Sequence, residues 1–171
     1  TIAIGVVIGA AIGATLARTI RMTAMPQLVA LFNGFGGGAS ALIATAEFLR
    51  LISESDGIPL NTSITIVFGA VVGSLTLSGS VVAFSKLQAL ISQRPITYPL
   101  QKSFNLLVFL SLVGLSVYVV VFGGGVPFHV AILLLAALLG VLLVLPIGGA
   151  DMPVVISLLN SYSGVAAAAA G

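Results

Sequence analysis

Long stretches without a charged residue most limit how this chain can fold. Charge-free runs cover residues 1–17, 22–46, 57–85 and 103–150. A helix that crosses the hydrocarbon core of a bilayer needs about 17–25 mostly apolar residues, so each run can supply at least one such helix. Only 6% of the residues are charged, whereas a soluble domain usually has about 25%. The sequence therefore predicts a membrane protein.

Glycine and proline divide these runs into helices. The last run breaks at the sequence GGGVP (residues 123–127), where the glycines end one helix and the proline begins the next. Pro26 and Pro153 also suit the first turn of a helix, where a missing N–H group costs no hydrogen bond. We therefore expect an all-α, polytopic transmembrane helix bundle that forms one domain over residues 1–171. Its six spans are predicted near residues 1–21, 26–52, 62–92, 103–122, 127–147 and 152–171.

Two of the predicted spans begin with nearly the same sequence. Residues 25–33 read MPQLVALFN, and residues 152–160 read MPVVISLLN. Each segment places an asparagine, Asn33 or Asn160, seven residues after its proline and roughly 10 Å into the helix. Because spans two and six start on the same side of the bundle, the match predicts a parallel internal repeat, an arrangement that transporters use. The alternative is a chance match between two segments rich in small and apolar residues.

The few charges predict the orientation in the membrane. The connections that follow spans one and three hold five basic residues, Arg18, Arg21, Lys86, Arg94 and Lys102, whereas acidic residues dominate the connection after span two. By the positive-inside rule, the first two connections are cytoplasmic. Asp151 then lies at the cytoplasmic mouth of span six, where a carboxylate suits the positive N-terminus of a helix.

The remaining ionisable side chains have ordinary explanations. Lys86 and the two arginines after span one are expected to reach water from helix ends. His129, near the outer end of span five, is expected at the membrane interface. Glu47 and Arg50, three residues apart on span two, are expected to form a local ion pair.

Three uncharged polar residues are predicted at one depth in the membrane. Ser80 lies six residues before Lys86, or roughly 9 Å from the cytoplasmic boundary, which matches the depth of Asn33 and Asn160. A buried carboxamide without a partner costs about 1–3 kcal/mol, so each asparagine should find the other, a hydroxyl or water. Two interpretations remain open: a polar path through the membrane, or hydrogen bonds that only hold helices together.

Several classes of site are excluded. The chain has no cysteine and one histidine, and no second metal ligand lies within helical reach of His129. No glycine-rich turn joins a strand to a helix, and no paired carboxylates occur. We therefore expect no catalytic, cofactor-binding or metal site in this chain. A net charge of +2 is too small to argue for binding nucleic acid.

Three segments carry a resemblance to a known family. They are MPQLVALFN (25–33), GSVVAFSKL (79–87) and, most specifically, GGADMPVVISLLNSYSGVAAAAAG (148–171). They closely resemble the membrane part of the beta subunit of proton-translocating NAD(P)+ transhydrogenase. The chain begins without methionine and closes within an alanine-rich helix, so we expect both ends to be internal. The resemblance implies a further helix and an NADP(H)-binding domain after residue 171.

The resemblance also implies a function. In that family, cytoplasmic domains carry NAD(H) and NADP(H), and proton movement through the membrane part is coupled to hydride transfer between them. The positions that match Asn33, Ser80 and Asn160 belong to the proton path, and the position that matches Asp151 lies at its cytoplasmic border. The implied location is a bacterial cytoplasmic (inner) membrane, and the implied working unit is a dimer of protomers.

One departure from the family pattern affects the mechanism. Some members have histidine at the position of Asn33, and a carboxamide cannot titrate near neutral pH as imidazole does. We therefore expect an alpha subunit to supply a titrating histidine at the level of Asn160. The alternatives are a secondary transporter with a substrate site at the repeat interface, or a structural membrane subunit without a path.

Overall fold

The computed structural model describes residues 2–54 and 58–170, and these ranges contain helices but no strand. The six predicted spans are confirmed as helices, although Thr1 and Gly171, at the ends of the first and last, lie outside the described residues. By length and composition, α1 to α5 are able to cross a membrane. The helices are α1 (Ile2–Thr19), α2 (Met25–Ser53), α3 (Leu60–Leu87), α4 (Gln101–Phe122), α5 (Val126–Val144) and α6 (Met152–Ala170).

The repeated segments also share local structure. A short 3-10 turn precedes each of the two helices, Met22–Ala24 before α2 and Gly149–Asp151 before α6. In both cases the helix begins at the methionine, and the proline lies in its first turn. Proline fits this place because the first N–H groups of a helix have no partner within the helix. The repeat therefore comprises a turn together with a helix start.

The third helix is shorter than predicted. It ends at Leu87 rather than near residue 92 because Ala89 adopts a left-handed conformation with φ 55°. The N–H of Ala89 donates to the Lys86 carbonyl, and the N–H of Leu90 donates to the Ser85 carbonyl. These two bonds form a Schellman motif, a common helix end that usually contains glycine at the left-handed position. Alanine gave no such signal in the sequence.

Helix α3 lies at the centre of the bundle. It packs against α2, α5 and α6 and, less extensively, against α4, while α4 packs on α5 and α2 also contacts α6. One apolar cluster joins α2, α3, α5 and α6 through buried residues that include Ala30, Ala83 and Met152. A second cluster joins α3, α4 and α5. By contrast, α1 buries none of its residues against the rest of the described chain.

The bundle has two distinguishable ends. We call one of them the basic end. There α3 finishes at Lys86 and Leu87 beside the first turn of α2, and Gln27 Nε2 donates to the Leu87 carbonyl at 3.1 Å. The end of α5 also lies there, in contact with the Lys86 side chain. At the opposite end, the start of α5 meets α2, where His129 contacts Thr45. The candidate site lies between these ends, on α2 and α3.

Candidate functional site

A buried hydrogen bond joins the two predicted polar residues of α2 and α3. Asn33 Nδ2 donates to Ser80 Oγ at 2.9 Å. Asn33 is 7% exposed and Ser80 is 1% exposed. The second polar atom of the carboxamide, Asn33 Oδ1, is buried and has no partner among the described residues. The pair therefore keeps one unused hydrogen-bond acceptor inside the bundle.

Glycines allow the two helices to come close enough for this bond. A β-carbon added at Gly34 would lie 3.2 Å from Ser80 Cβ, and one added at Gly37 would lie 2.8 Å from the Gly73 carbonyl oxygen. Close approach through small residues is the usual basis of helix pairing in membranes. A cavity of about 40 Å³ lies beside Gly34 and Ser80, and the surface that lines it is apolar.

A second pair of polar side chains lies one helical turn along α3. Ser163 Oγ on α6 lies 3.0 Å from Thr76 Oγ1, and Thr76 is fully buried. Residues four apart on a helix share a face, so Thr76 and Ser80 both point into the bundle. The sequence showed hydroxyl groups on both helices but gave no reason to pair these two. Together, the two contacts place polar groups between α3 and α2 and between α3 and α6, the two helices that begin with the repeated segment.

The third predicted residue does not join this arrangement. Asn160 is exposed on α6, and it makes no side-chain hydrogen bond within the described part of the chain. Ser157, Ser161 and Gly164 are also exposed and fall on the same helical face, because residues three and four apart are neighbours on a helix. The structure therefore brings Asn33 and Ser80 together and leaves Asn160 on an outer polar face of α6.

Asp151 occupies the predicted place at the basic end but does not show the predicted cap. It is the last residue of the turn before α6, and its side chain is exposed. Among the described residues, its carboxylate accepts no hydrogen bond from the first turn of the helix. Its backbone N–H donates to the Gly148 carbonyl at 3.1 Å. The carboxylate is thus free to meet a group outside this chain.

The expectation that Lys86 reaches water was wrong. Its side chain is fully buried, and Nζ donates to the carbonyl oxygens of Leu145 at 2.5 Å, Ile147 at 2.7 Å and Arg94 at 3.3 Å. The physical reason is that the end of α5 leaves carbonyl groups without helical partners, and a cation satisfies them. These acceptors are distant in sequence, so local spacing could not identify them.

His129 lies near the start of α5, as predicted, but its ring is buried inside the bundle instead of facing the membrane interface. Its ring is 2% exposed, stacks on Phe48 with centroids 4.4 Å apart, and places Nε2 3.0 Å from Thr45 Oγ1. The Thr45 hydroxyl donates to the Ala41 carbonyl at 2.7 Å, so Nε2 must donate to Thr45. The ring packs between α5 and α2 because Thr45 offers it a hydrogen bond and Phe48 offers it a stacking surface.

Other ionisable groups are peripheral. The predicted ion pair of Glu47 and Arg50 is confirmed at 2.6 Å, and Glu54 joins it at 2.8 Å on the exposed side of α2. Within residues 2–54 and 58–170, no three histidine, cysteine, aspartate or glutamate side chains lie close enough to hold a metal ion. The buried polar groups described above are thus the candidate functional features of this part of the molecule.

Comparison with known proteins agrees with the resemblance seen in the sequence. Residues 1–171 match the family described as NAD(P) transhydrogenase beta subunit. Two relatives named NAD(P) transhydrogenase subunit beta, both from Rhodospirillum rubrum, are each 45% identical to this chain over 156 residues. The aligned part is 89% of this chain and 33% of each relative, so the chain spans about a third of their length. This helical membrane chain belongs to the NAD(P) transhydrogenase beta subunit family.

Proposed function

We propose that this chain is the part of an NAD(P) transhydrogenase that couples proton movement across the membrane to hydride transfer between NAD(H) and NADP(H). The observation that carries the proposal is the buried Asn33–Ser80 pair, with its unused Oδ1 acceptor, inside an otherwise apolar bundle. Polar groups within a membrane are costly and are typical of ion and proton pathways. In this proposal the chain contributes the pathway, and other domains hold both nucleotides and perform hydride transfer.

The polar pair would guide protons through water rather than carry them itself. Carboxamides and hydroxyl groups do not titrate near neutral pH, so neither Asn33 nor Ser80 stores a proton. The adjoining cavity of about 40 Å³ exceeds the roughly 10–15 Å³ that one water molecule requires. The surface that lines the cavity is apolar, so the cavity itself offers such a water no hydrogen-bond partner. The acceptor open to water in the polar pair is Asn33 Oδ1, and Asn33 does not line this cavity.

The titrating group would come from another subunit. His129 is the one histidine of this chain. It contacts Thr45, which lies twelve residues after Asn33 and therefore about 18 Å further along α2. Small residues fill the α2–α3 contact between these levels, since Gly73 faces Ala41 and Gly69 faces Ala44. His129 is thus too distant to serve the Asn33–Ser80 pair.

The exposed face of α6 supports a partner helix as the source of that group. Asn160 is uncovered at a depth where the surroundings would be lipid, and an amide exposed to hydrocarbon is unfavourable. A transmembrane helix of an alpha subunit, with a histidine at this level, would cover the amide and supply the proton carrier. The exposed Ser157, Ser161 and Gly164 fit such a contact because small residues allow helices to approach closely.

Coupling would follow from the location of Asp151 at the basic end. That end is cytoplasmic in the orientation predicted from the basic residues, and it faces the expected nucleotide domains. Occupancy of the NADP(H) domain would select which side of the membrane the titrating histidine can reach, through the exposed carboxylate of Asp151. Proton and hydride transfer could then not proceed independently. The working complex is proposed to be a dimer of protomers in a bacterial inner membrane.

The test uses vesicles that contain the whole complex, supplied with NADPH and an NAD+ analogue. Proton uptake and hydride transfer are measured together for the native protein, for Asn160→Ala and for Asn61→Ala, an exposed asparagine at the start of α3. We expect Asn160→Ala to lower both rates in step and Asn61→Ala to change neither. Hydride transfer without proton uptake in the native complex would overturn the proposal.

A second experiment tests the origin of the proton carrier. The histidine of the partner helix is replaced by alanine, and Asn33→His is introduced into this chain. Because imidazole titrates near neutral pH, the combined variant should recover part of the proton uptake that the alanine variant loses. A correctly assembled combined variant without any recovery would contradict a common proton path for the two side chains.

A further inference from the structure

The ammonium group of Lys86 lies in a site built from three backbone carbonyls. The side chain is fully buried, and its acceptors belong to Leu145, Ile147 and Arg94. A protonated lysine has three N–H donors and no acceptor, so three carbonyl oxygens match its capacity. Two of the acceptors follow the last turn of α5, where the negative end of the helix dipole favours a cation. The site therefore suits a positively charged donor.

The three acceptors belong to two different connections. Leu145 and Ile147 lie between α5 and α6, and Arg94 lies between α3 and α4. The backbone joins these connections directly as well, because the Gly149 N–H donates to the Gln93 carbonyl at 2.8 Å and the Ile96 N–H donates to the Leu145 carbonyl at 3.1 Å. Lys86 thus fastens the end of α3 to a unit formed by both connections.

The unit formed by the two connections is linked both to Asp151 and to the helix that carries Ser80. In one direction, the α5–α6 connection runs into Asp151 and then Met152, which is fully buried in the cluster that contains Ala83 of α3. In the other direction, Ser80 precedes Lys86 by six residues on the same helix, or about 9 Å. A displacement of the connection would therefore move a rigid helix that carries the Asn33–Ser80 hydrogen bond.

We propose that Lys86 is a positioning residue that clamps the connection carrying Asp151 to the helix carrying Ser80. Through this clamp, a movement imposed on the α5–α6 connection at the basic end changes the geometry of the buried polar pair. A lysine at a helix end could extend its ammonium into water along its own stem. Lys86 is instead buried, and its ammonium binds carbonyls that follow α5. This contact therefore connects α3 mechanically to the α5–α6 connection. This inference rests on the proposed function.

The first test compares three variants of the whole complex in vesicles by the number of protons taken up per hydride transferred. Lys86→Met keeps the length of the side chain without its donors, and Lys86→Arg keeps charge and donors. Lys102→Met removes an exposed lysine at the start of α4 as the matched control. Residues that carry coupling typically alter it by a factor of about 2–30, and we expect a loss in this range for Lys86→Met. Lys86→Arg should recover most of the native ratio, and the control should equal it.

A second measurement leaves Lys86 in place. A β-carbon at Gly149 would lie 3.3 Å from Gln93 Cβ, just below the roughly 3.5–4.5 Å found in disulfides, and the chain has no cysteine of its own. If the two connections move as one unit, the pair Gln93→Cys and Gly149→Cys should form a disulfide, and the oxidised complex should pump as well as the reduced one. Each single cysteine variant serves as a control. Loss of pumping on oxidation of the pair alone would overturn the clamp.

The same vesicles distinguish failure of the clamp from failure of the proposed function. If Ser80→Ala lowers the proton-to-hydride ratio while Lys86→Met leaves it at the native value, the pathway stands and the clamp is wrong. If Ser80→Ala also pumps like the native complex, the proposed function itself fails. Loss of coupling in both variants, with recovery by Lys86→Arg, supports the two proposals together.

Discussion

The contact between α2 and α3 gives a sharp prediction about two adjacent glycines. A β-carbon at Gly37 would lie 2.8 Å from both the Gly73 carbonyl oxygen and Thr76 Cβ, whereas one at Gly36 would have no atom within 4 Å. Separations below 3.0 Å to backbone and to a β-branched residue cannot be relieved by rotating a flexible side chain. Gly37→Ala must therefore push the helices apart, and Gly36→Ala need not move anything.

Two contributions to the free energy of unfolding decide the comparison, and only one of them is the same for both substitutions. Replacing a helical glycine by alanine favours the helix by roughly 1 kcal/mol at either position. Overpacking of a close contact costs about 1–3 kcal/mol, and it applies to Gly37→Ala alone. The free energy of unfolding of Gly37→Ala should therefore be lower than that of Gly36→Ala by about 1–3 kcal/mol. Because the helices separate, Gly37→Ala should also weaken the Asn33–Ser80 bond.

Titration of the detergent-solubilised complex with sodium dodecyl sulfate, followed by circular dichroism, measures this difference. Proton uptake in vesicles provides the second measurement, in which Gly37→Ala should lower the proton-to-hydride ratio and Gly36→Ala should not. Equal stability of the two variants, or greater stability of Gly37→Ala, would refute the close approach of α2 and α3.

Three further predictions concern stability measured by the same titration. Ala89→Gly should raise the free energy of unfolding by about 1–2 kcal/mol, because glycine adopts the left-handed conformation without the penalty that alanine incurs; no gain would contradict the described end of α3. His129→Phe should stay within about 1 kcal/mol of the native protein, since it loses one hydrogen bond and removes an unpartnered nitrogen, whereas His129→Ala should cost about 3–5 kcal/mol. Similar losses in the free energy of unfolding for the two His129 variants would exclude packing of the ring as the main contribution of His129 to stability. Gly140→Ala should cost about 1–3 kcal/mol because its β-carbon would meet the Leu75 carbonyl on α3, whereas Gly114→Ala, in open space, should not destabilise the protein.

Features that depend on nearby sequence were predictable. The charge-free runs and the Met-Pro segments identified six helices, and the start of α6 was predicted at the residue where it occurs. Counting residues from the helix ends also placed Asn33 and Ser80 at one depth, and the structure joins them by a hydrogen bond. The count succeeded because rise per residue is nearly constant in a helix.

Features that depend on rotation about a helix axis or on distant residues were not predictable. The depth of Asn160 says nothing about which way its side chain points, and the structure exposes it. Lys86 is held by carbonyls that lie up to 61 residues away in the sequence, and His129 is bonded 84 residues away. The sequence alone placed the Lys86 side chain in water and the His129 side chain at the membrane interface. Packing between helices decided otherwise.

The central claim is that protons pass the buried pair of α2 and α3. Its most direct test is the number of protons taken up per hydride transferred in vesicles containing Ser80→Ala, compared with Ser85→Ala. Ser85 is a matched control because its hydroxyl is bound to the Val81 carbonyl on the exposed side of the same helix. We predict a reduced ratio for Ser80→Ala and the native ratio for Ser85→Ala. A native ratio in both variants would show that the pair only holds the helices together.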